Sequence, residues 1–453
     1  MKTGLTLFDT KSAERHEVGA DENGNVRIYC CGPTVYRDAH VGNLRTFLLA
    51  DLVQRTLIFA GLKVDLVQNI TDVGHMSEDL AEDKMLSESK LKARDPFEIA
   101  QEYEAKFHQD LALLNAIPAR AYPRASQSIE MMQELIAQLI DSENAYVGED
   151  GTVYFSAESF PGYGELSGNR LKDLKPGHRY EYVENGAKRF HADWALWKAA
   201  GNRTQMIWPS PWGDGFPGWH IECSAMSLHY LGSHVDLHIG GIDLRFPHHE
   251  NERAQSNSAM ENQEVVDLWL HGEHLLFEGR KMSKSVGNVV LVSDLISRGL
   301  NPLALRLTFL ENRYRSQMNL TWDSLKAADS TITRWREKYQ DWAKAPFAAA
   351  DEEISEAFAF ILSDLETPKT ILYLREIEKS DMEPGKKATI FKALDQVLAL
   401  DITVAPTRTE LSSEVEAMIV ARAKARAEKN FAESDRLRDE LLKLGVDVKD
   451  SSL

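Results

Sequence analysis

The feature that most constrains this chain is a strand, a turn-rich loop, a helix and a second strand in direct succession near the N-terminus. Residues 25–30 (NVRIYC) alternate, with Val26, Ile28 and Cys30 apolar against polar partners, which predicts a short strand. Gly32 to Ala39 reads as a loop. From Val41 to about Phe59 the residues Leu44, Phe47, Leu48, Leu52, Val53, Leu57 and Ile58 return at three- and four-residue spacing, which predicts a helix, and Gly61 supplies its stop. Residues 63–69 (KVDLVQN) predict the next strand. A βαβ unit of this kind implies a parallel sheet with helices on its faces. It also puts the loop before Gly42 at a helix N-terminus, where unpaired backbone N–H groups favour anions.

The rest of the chain divides by composition. Its 453 residues suggest about three domains at ~150 residues each. Residues 97–142 read as amphipathic helix. Residues 143–205 are rich in Gly, Asn and aromatics, with short alternating runs such as TVYFS at 152–156, and read as a small inserted domain. Trp219 to Leu231 predicts a helix, Val235–Ile239 a strand, and His248–Met260 a further helix. Asp323 to Leu400 is long, charged and helical, as in a bundle, and APTRT at 405–409 reads as a linker before a last helix pair over 410–444. Gly213-Asp214-Gly215-Phe216-Pro217-Gly218 fits the letter of a dinucleotide fingerprint. It contains a proline and follows a Pro-rich loop rather than a strand, so it is read as a shaped loop. No run approaches the ~18 apolar residues of a membrane span, and no apolar secretory segment is visible in the first residues. Three cysteines, Cys30, Cys31 and Cys223, argue against a disulfide framework and for a reducing, cytoplasmic setting. A net charge of −18 argues against a general nucleic-acid coat, though it permits limited basic tracks.

Three constellations carry chemistry. His248 and Glu252, in PHHENE, share one helix face by spacing. With Cys31 and Cys223 they would make a tetrahedral zinc set, although by spacing alone a solvated helix face is the commoner meaning and His249 with Glu252 is a competing pair. Cys30 shares the alternation of Val26 and Ile28 and is read as core. His40, Gly42 and Asn43 lie at the loop-to-helix junction and suit a polyphosphate. Lys281 and Lys284, in KMSKS between Gly279 and Gly287, sit in a loop able to close on developing phosphate charge. There is no Walker A pattern. Near the end, Arg422, Arg426 and Lys429 form a stripe at i, i+4, i+7 that could touch a phosphate backbone, but Glu428, Glu433 and Asp435 are interleaved, and a solvated helix is at least as good a reading.

Taken in order, CGPTVY at 31–36, HVGN at 40–43, NITD at 69–72, GWHIECSAM at 218–226, FPHHENE at 246–252, KMSKS at 281–285, YRSQ at 314–317 and the ETP step at 366–368 resemble the cysteinyl-tRNA synthetase family of class I aminoacyl-tRNA synthetases. So does the late segment ARAEKNFAESDRLRDEL. The resemblance spans nearly the whole chain. It implies an α/β fold: a Rossmann-like parallel-sheet catalytic domain (1–124 and 206–275) split by a connective insertion (125–205), a connecting segment with the KMSKS loop (276–320), a helical bundle (321–404) and a small C-terminal tRNA-binding region (408–453).

The resemblance also implies one zinc ion on Cys31, Cys223, His248 and Glu252, leaving His249 outside the set. Zinc prefers a thiolate to a neutral hydroxyl, so it would separate cysteine from its near-isostere serine, which a pocket alone does poorly. ATP with Mg2+ would meet His40, Gly42, Asn43, Lys281 and Lys284, with Asp243 near the ribose. Thr71, Trp219 and His220 would line the cysteine pocket. The implied product is L-cysteine joined to its tRNA through a cysteinyl-adenylate, by a monomer with no membrane association. The alternatives are a related ligase passing activated cysteine to an amino-sugar, as in mycothiol synthesis, and a non-catalytic tRNA-binding paralogue. Three departures stand out: HVGN in place of HIGH, a longer loop over 73–84 after NITD, and an ending at KDSSL where family members usually continue through a Gly-Thr-x-Trp-like tail in the anticodon-binding region.

Overall fold

A computed structural model describes residues 2–74, 94–175, 187–282, 287–406 and 413–443, together with Met85, Glu88 and Ser89. Residues 75–84 of the lengthened loop lie outside the described residues. The chain divides into two compact units, Met1–Thr403 and Val404–Leu453.

The first unit opens with an antiparallel hairpin, β1 (Lys2–Asp9) and β2 (Glu14–Gly19), which the sequence reading did not anticipate. The βαβ unit follows: β3 (Asn25–Cys30), α1 (Val41–Phe59) and β4 (Lys63–Gln68). The expected helix over 97–142 is two helices, α2 (Pro96–Leu113) and α3 (Ile129–Asp141). The break has a local cause: α2 ends at Leu114, Asn115 takes a left-handed φ of 56°, and the following segment runs beside β4, with Arg120 and Ala121 exchanging backbone hydrogen bonds with Leu66 and Gln68. The inserted region is an antiparallel sheet of β5 (Ala145–Val147), β6 (Val153–Phe155), β7 (Trp194–Ala199) and β8 (Gly215–Pro217) in that order. The GxGxxG-like string is therefore an edge strand of this sheet.

From β8 the chain passes directly into α4 (Trp219–Leu231), then β9 (Val235–Gly241), α5 (Glu250–Ala259) and β10 (Val266–Gly272). The central sheet has the order β10-β9-β3-β4, every pair parallel. Chain direction across it reverses at β3, whose neighbours are β4 on one side and β9 on the other. This topological switch point is where ligands bind in open parallel sheets. Strand pleating sends alternate side chains to opposite faces. Val26, Ile28, Cys30, Leu237, Ile239, Leu268 and Leu270 enter the apolar core built on α1. Tyr29, Val67, Val235, Trp269 and, just past the strand end, Cys31 enter the core under the insertion, with Cys223 and Ala254. Consecutive cysteines thus lie on opposite faces.

A small sheet follows, β11 (Leu275–Phe277), β12 (Arg280–Lys281) and, after α6 (Val292–Ser297) and α7 (Leu303–Leu310), β13 (Met318–Leu320). In it β11 lies between the other two strands. The bundle is α8 (Trp322–Trp342), α9 (Asp351–Leu362), α10 (Thr367–Lys379) and α11 (Pro384–Leu398). It packs on α1 through Phe59 and Phe358, whose rings lie 4.6 Å apart. The second unit is a helix pair, α12 (Ser413–Ala427) and α13 (Phe431–Lys443). Here the proposed basic stripe is corrected: Arg422 is buried, and Lys429 lies beyond α12 in the turn with φ 61°. Leu437 and Leu441 of α13 are also buried, so the face carrying Arg422 serves the pairing of the two helices.

In the bundle, Arg334 and Trp335 donate to Glu378 at 2.8 Å each and Lys338 lies 3.1 Å away. Burial opposes ionisation of Glu378, but these donors outweigh it and pull the pKa to about 2. An unfolded Glu titrates near ~4.3, so the contribution to stability is complete above that pH and fades as pH falls towards ~2. Glu378→Gln should lower stability by about 1–3 kcal/mol near neutral pH. In denaturant melts at stepped pH, its gap from wild type should close between pH ~4.3 and ~2.

Candidate active site

The C-terminal edge of the parallel sheet gathers the sequence motifs. CGPTVY leaves β3 and is laced to NITD, where Thr34 and Thr71 form a parallel bridge, Thr71 N–H donates to Pro33 O at 3.0 Å, and Gly32 N–H donates to Asn69 Oδ1 at 2.8 Å. Only glycine fits at position 32, because a Cβ there would lie 1.6 Å from Asn69 O. Thr71 is buried, donates to Glu222 Oε2 at 2.8 Å and accepts from Asn69 Nδ2 at 3.2 Å.

On the insertion side of the sheet, Cys31, Cys223, His248 and Glu252 come together, all buried, with one donor atom from each within 4.8 Å of every other. Cys31 comes from the end of β3 and Cys223 from α4. His248 and Glu252 do not share one regular helix as spacing suggested: His248 lies in a wide five-residue turn, Arg245–His249, after the cis Phe246–Pro247 bond, and Glu252 lies in α5. They still meet, with His248 Nε2 2.9 Å from Glu252 Oε1. Cys31 Sγ is 3.8 Å from Cys223 Sγ and 3.5 Å from Glu252 Oε1. Tetrahedral ligands at a Zn–S distance of ~2.3 Å are themselves ~3.8 Å apart, so the two sulfurs already have the spacing of a shared metal.

The charges of these groups depend on one another. Burial opposes charge on His248, yet Glu252 and Cys223 outweigh it and hold its pKa up at about 10. Burial raises the Cys31 thiol. It also acts to raise Cys223, but there the Cys31 S–H and His248 win and lower it. The imidazole of His248 thus carries positive charge between the Cys223 sulfur and the Glu252 carboxylate. Cys30, on the other face, is pushed up to about 12 by burial and Cys223 and stays a neutral core thiol.

A second set shares two of these donors: Cys31, His238, His249 and Glu252 also lie within 4.8 Å of one another. His238 Nε2 is 3.4 Å and His249 Nε2 3.3 Å from Cys31 Sγ. His249 Nδ1 is engaged by His271 Nε2 at 2.8 Å, and His271 Nδ1 by Thr10 Oγ1 at 2.8 Å. Burial keeps His238 neutral, with a pKa near 4, and drives His249 well below the usual range. His238 and His271 escaped the sequence reading. The available signal was an imidazole interrupting each of two buried strands, LHIG and WLHG, at the end where a parallel sheet binds ligands. Trp219 and His220, at the start of α4, close the site above: the Trp219 ring lies 4.2 Å from that of His248, and His220 Nδ1 is 2.8 Å from His248 Nδ1.

His40 caps α1. Its Nδ1 accepts from Gly42 N–H at 3.1 Å and Asn43 N–H at 3.3 Å, and Asn43 Oδ1 accepts from His40 N–H at 3.2 Å. Nδ1 is therefore an acceptor, and the neutral ring carries its proton on Nε2. Burial and Arg37 pull the His40 pKa down to about 4, against the nearby carboxylate of Asp243, which lies exposed in the turn after β9. Met282 of KMSKS reaches this turn, since a Cβ on Gly42 would come within 2.8 Å of its methyl. Lys281 is exposed on β12, and Lys284 lies outside the described residues. The two ends of the loop are tied: Asn288 Nδ2 donates to Lys281 O at 3.1 Å, and Val41 N–H donates to Val290 O at 2.9 Å.

A parallel sheet whose switch point gathers these motifs, with HVGN at a helix N-terminus and Met282 of KMSKS against it, is the architecture of a class I aminoacyl-tRNA synthetase. The family model described as the tRNA synthetases class I (C) catalytic domain matches residues 17–330. A second, the cysteinyl-tRNA ligase anticodon binding domain, matches residues 408–452. The cysteine–tRNA ligase of Thermus thermophilus is 39% identical over 477 aligned residues, spanning 99% of this chain and 98% of that one. That of Chlamydia muridarum is 37% identical, spanning 98% of each. The solved structure of Mycobacterium tuberculosis methionyl-tRNA synthetase in complex with methionyl-adenylate shares the fold, with a TM-score of 0.56 at 14% identity, covering 82% of this chain and 89% of that one. The chain belongs to the cysteinyl-tRNA synthetase family.

If the cap sets the His40 tautomer, imidazole NMR should show His40 titrating near 4 rather than near the usual ~6.5. Asn43→Ala, which removes one arm of the cap, should move that titration.

Proposed function

We infer that the protein activates L-cysteine with ATP and transfers it to tRNA. The observation that carries the reading is the meeting of two thiols, an imidazole and a carboxylate at the end of the strand that leads to the HVGN turn. We assign Cys31, Cys223, His248 and Glu252 as the metal ligands, with His238 and His249 as the layer beneath. Two thiolates make the first set the softer and more negative, which suits zinc. Zinc bound there would supply a thiophilic position that prefers the sulfur of cysteine to the oxygen of serine. His220, at His248 Nδ1, fixes the orientation of that ring, as outer partners of metal-bound imidazoles do. Thr71 and Trp219 wall the cysteine pocket.

The substrate carboxylate is already ionised, so activation needs no general base. The cysteine carboxylate attacks the α-phosphorus of ATP, and pyrophosphate leaves. The residues serve by positioning and by neutralising charge. In this reading the Nε2–H of His40 and the amide of Asn43 donate to phosphate oxygens, Gly42 lets them approach, and Asp243 meets the ribose. Lys281 and Lys284 close over the phosphates as charge moves to the leaving group, with Mg2+ arriving on ATP. The cysteinyl group then passes to the terminal adenosine of tRNA, held by the C-terminal unit through its anticodon. That segment favours tRNA over an amino-sugar acceptor, and the intact metal and lysine motifs favour an enzyme over a binding paralogue. Three buried free cysteines suit the reducing cytoplasm. Among the described residues no helix is long and apolar enough to cross a membrane.

The direct test is cysteine-dependent ATP–pyrophosphate exchange followed by charging of tRNA. Exchange without charging of cognate tRNA would refute the reading. Removing residues 408–453 should leave exchange intact and cut charging by at least about tenfold in kcat/KM. For the ligand assignment, Cys223→Ser should lower zinc affinity by more than ~10-fold and raise KM for cysteine. His238→Ala should keep one zinc per chain. The reverse pattern would give the metal to the other donor set.

A further inference from the structure

We infer that Arg45 is a positioning residue for adenylate formation, locking the base of the KMSKS loop to the helix that carries HVGN. It stands one turn after Val41 on α1, roughly 6 Å along the axis, and is almost wholly buried. Its guanidinium reaches out of α1 into two loops that neighbour each other in space but not in sequence. Nη1 donates to Glu273 O at 2.7 Å and His274 O at 3.0 Å, the turn between β10 and β11. Nη2 donates to Ser316 O at 2.9 Å and Arg313 O at 3.1 Å, with Tyr314 O at 3.4 Å, the run leading into β13.

These two loops carry the platform from which the lysine loop departs. They are stitched together by Glu273 N–H to Tyr314 O at 2.8 Å and Met318 N–H to His274 O at 3.2 Å. The strands they lead into, β11 and β13, pair in parallel, and β11 holds β12, which ends at Lys281. The far end of the loop returns to α1 at Val290, on the N–H of Val41. One helix therefore holds the far end of the loop by its first N–H and, through Arg45, the turns that lead into the strands at its near end. A planar fork of donors suits this task because it satisfies carbonyls on two loops at once, and a lysine, with all its donors at one point, cannot span them. Freed, the platform would no longer deliver the loop at the geometry the transition state needs, and small misplacements of such groups are costly.

This rests on the reading above that the loop closes on ATP, so the test is a double-mutant cycle that examines the two separately. Wild type, Arg45→Gln, Lys284→Ala and the double variant are compared in cysteine-dependent ATP–pyrophosphate exchange. Arg45→Gln should lower kcat at least about tenfold, while bound zinc and KM for cysteine stay within about twofold. In the Lys284→Ala background the same change should cost less than about twofold, because the group it positions is gone. An equal loss in both backgrounds, or zinc and cysteine affinity falling in step with kcat, would make Arg45 a general packing residue and overturn the inference. So would an unchanged kcat. If Arg45→Gln does not fold, Arg45→Lys is read in the same cycle; failure of both to fold also overturns it. A Lys284→Ala variant with unimpaired exchange would refute the loop reading itself, and this inference with it.

Discussion

Four donors that water would otherwise hold apart are buried together at the end of a parallel sheet, and much of the catalytic half is arranged around that fact. Two thiols, an imidazole and a carboxylate are costly in a dry interior unless charge is balanced among them. Here the balance is local: His248 takes up positive charge against Cys223 and Glu252. The arrangement depends on pleating. Because strand side chains alternate, Cys30 goes to the α1 core and Cys31 to the opposite side, where α4 and α5 bring the remaining donors. A slip of one residue in β3 would exchange the two cysteines and dismantle the cluster.

The second organising element is α1. Its N-terminus is completed by its own residues, through the reciprocal bonds of His40 and Asn43. Its first N–H holds the exit of the lysine loop, and its second turn holds the platform at the entry. The anion-binding turn and the two ends of the lysine loop are thus referred to a single helix. The cysteine side of the site is referred to the sheet. The two meet at the switch point, where a carboxylate and an α-phosphorus must be brought together.

Much of this was legible in the sequence for physical reasons. The βαβ unit was clear because its periods of 2 and 3.6 are uninterrupted and its stop is a glycine with φ 85°. The four donors were recognisable as a set only through the ordered motifs, since HxxxE spacing alone is common. The wide turn that carries His248 breaks the helical pattern at Phe246, and no periodicity announces it. The hairpin β1–β2 was missed because its second strand, ERHEVG, is largely polar and exposed on one edge. The gap between α2 and α3 was missed because tertiary pairing with β4 overrides a helical pattern. Arg422 looked like a phosphate ligand on a helical wheel and proved buried, since a wheel does not say which face meets the partner helix.

The seam between the insertion and α4 has a consequence for how this enzyme can vary. Pro217, the last residue of β8, pairs with Trp197, and Gly218 donates its N–H to Leu196 O at 2.8 Å while opening the helix that carries Trp219, His220 and Cys223. A Cβ at Gly218 would lie 2.0 Å from Ala195 O. The inserted sheet is therefore spliced into the pocket at this border, while β5 lies at its other edge, three strands away. A change in the hairpin between β5 and β6 would leave this border in place, whereas the strand entering α4 is held to a fixed path by its neighbours.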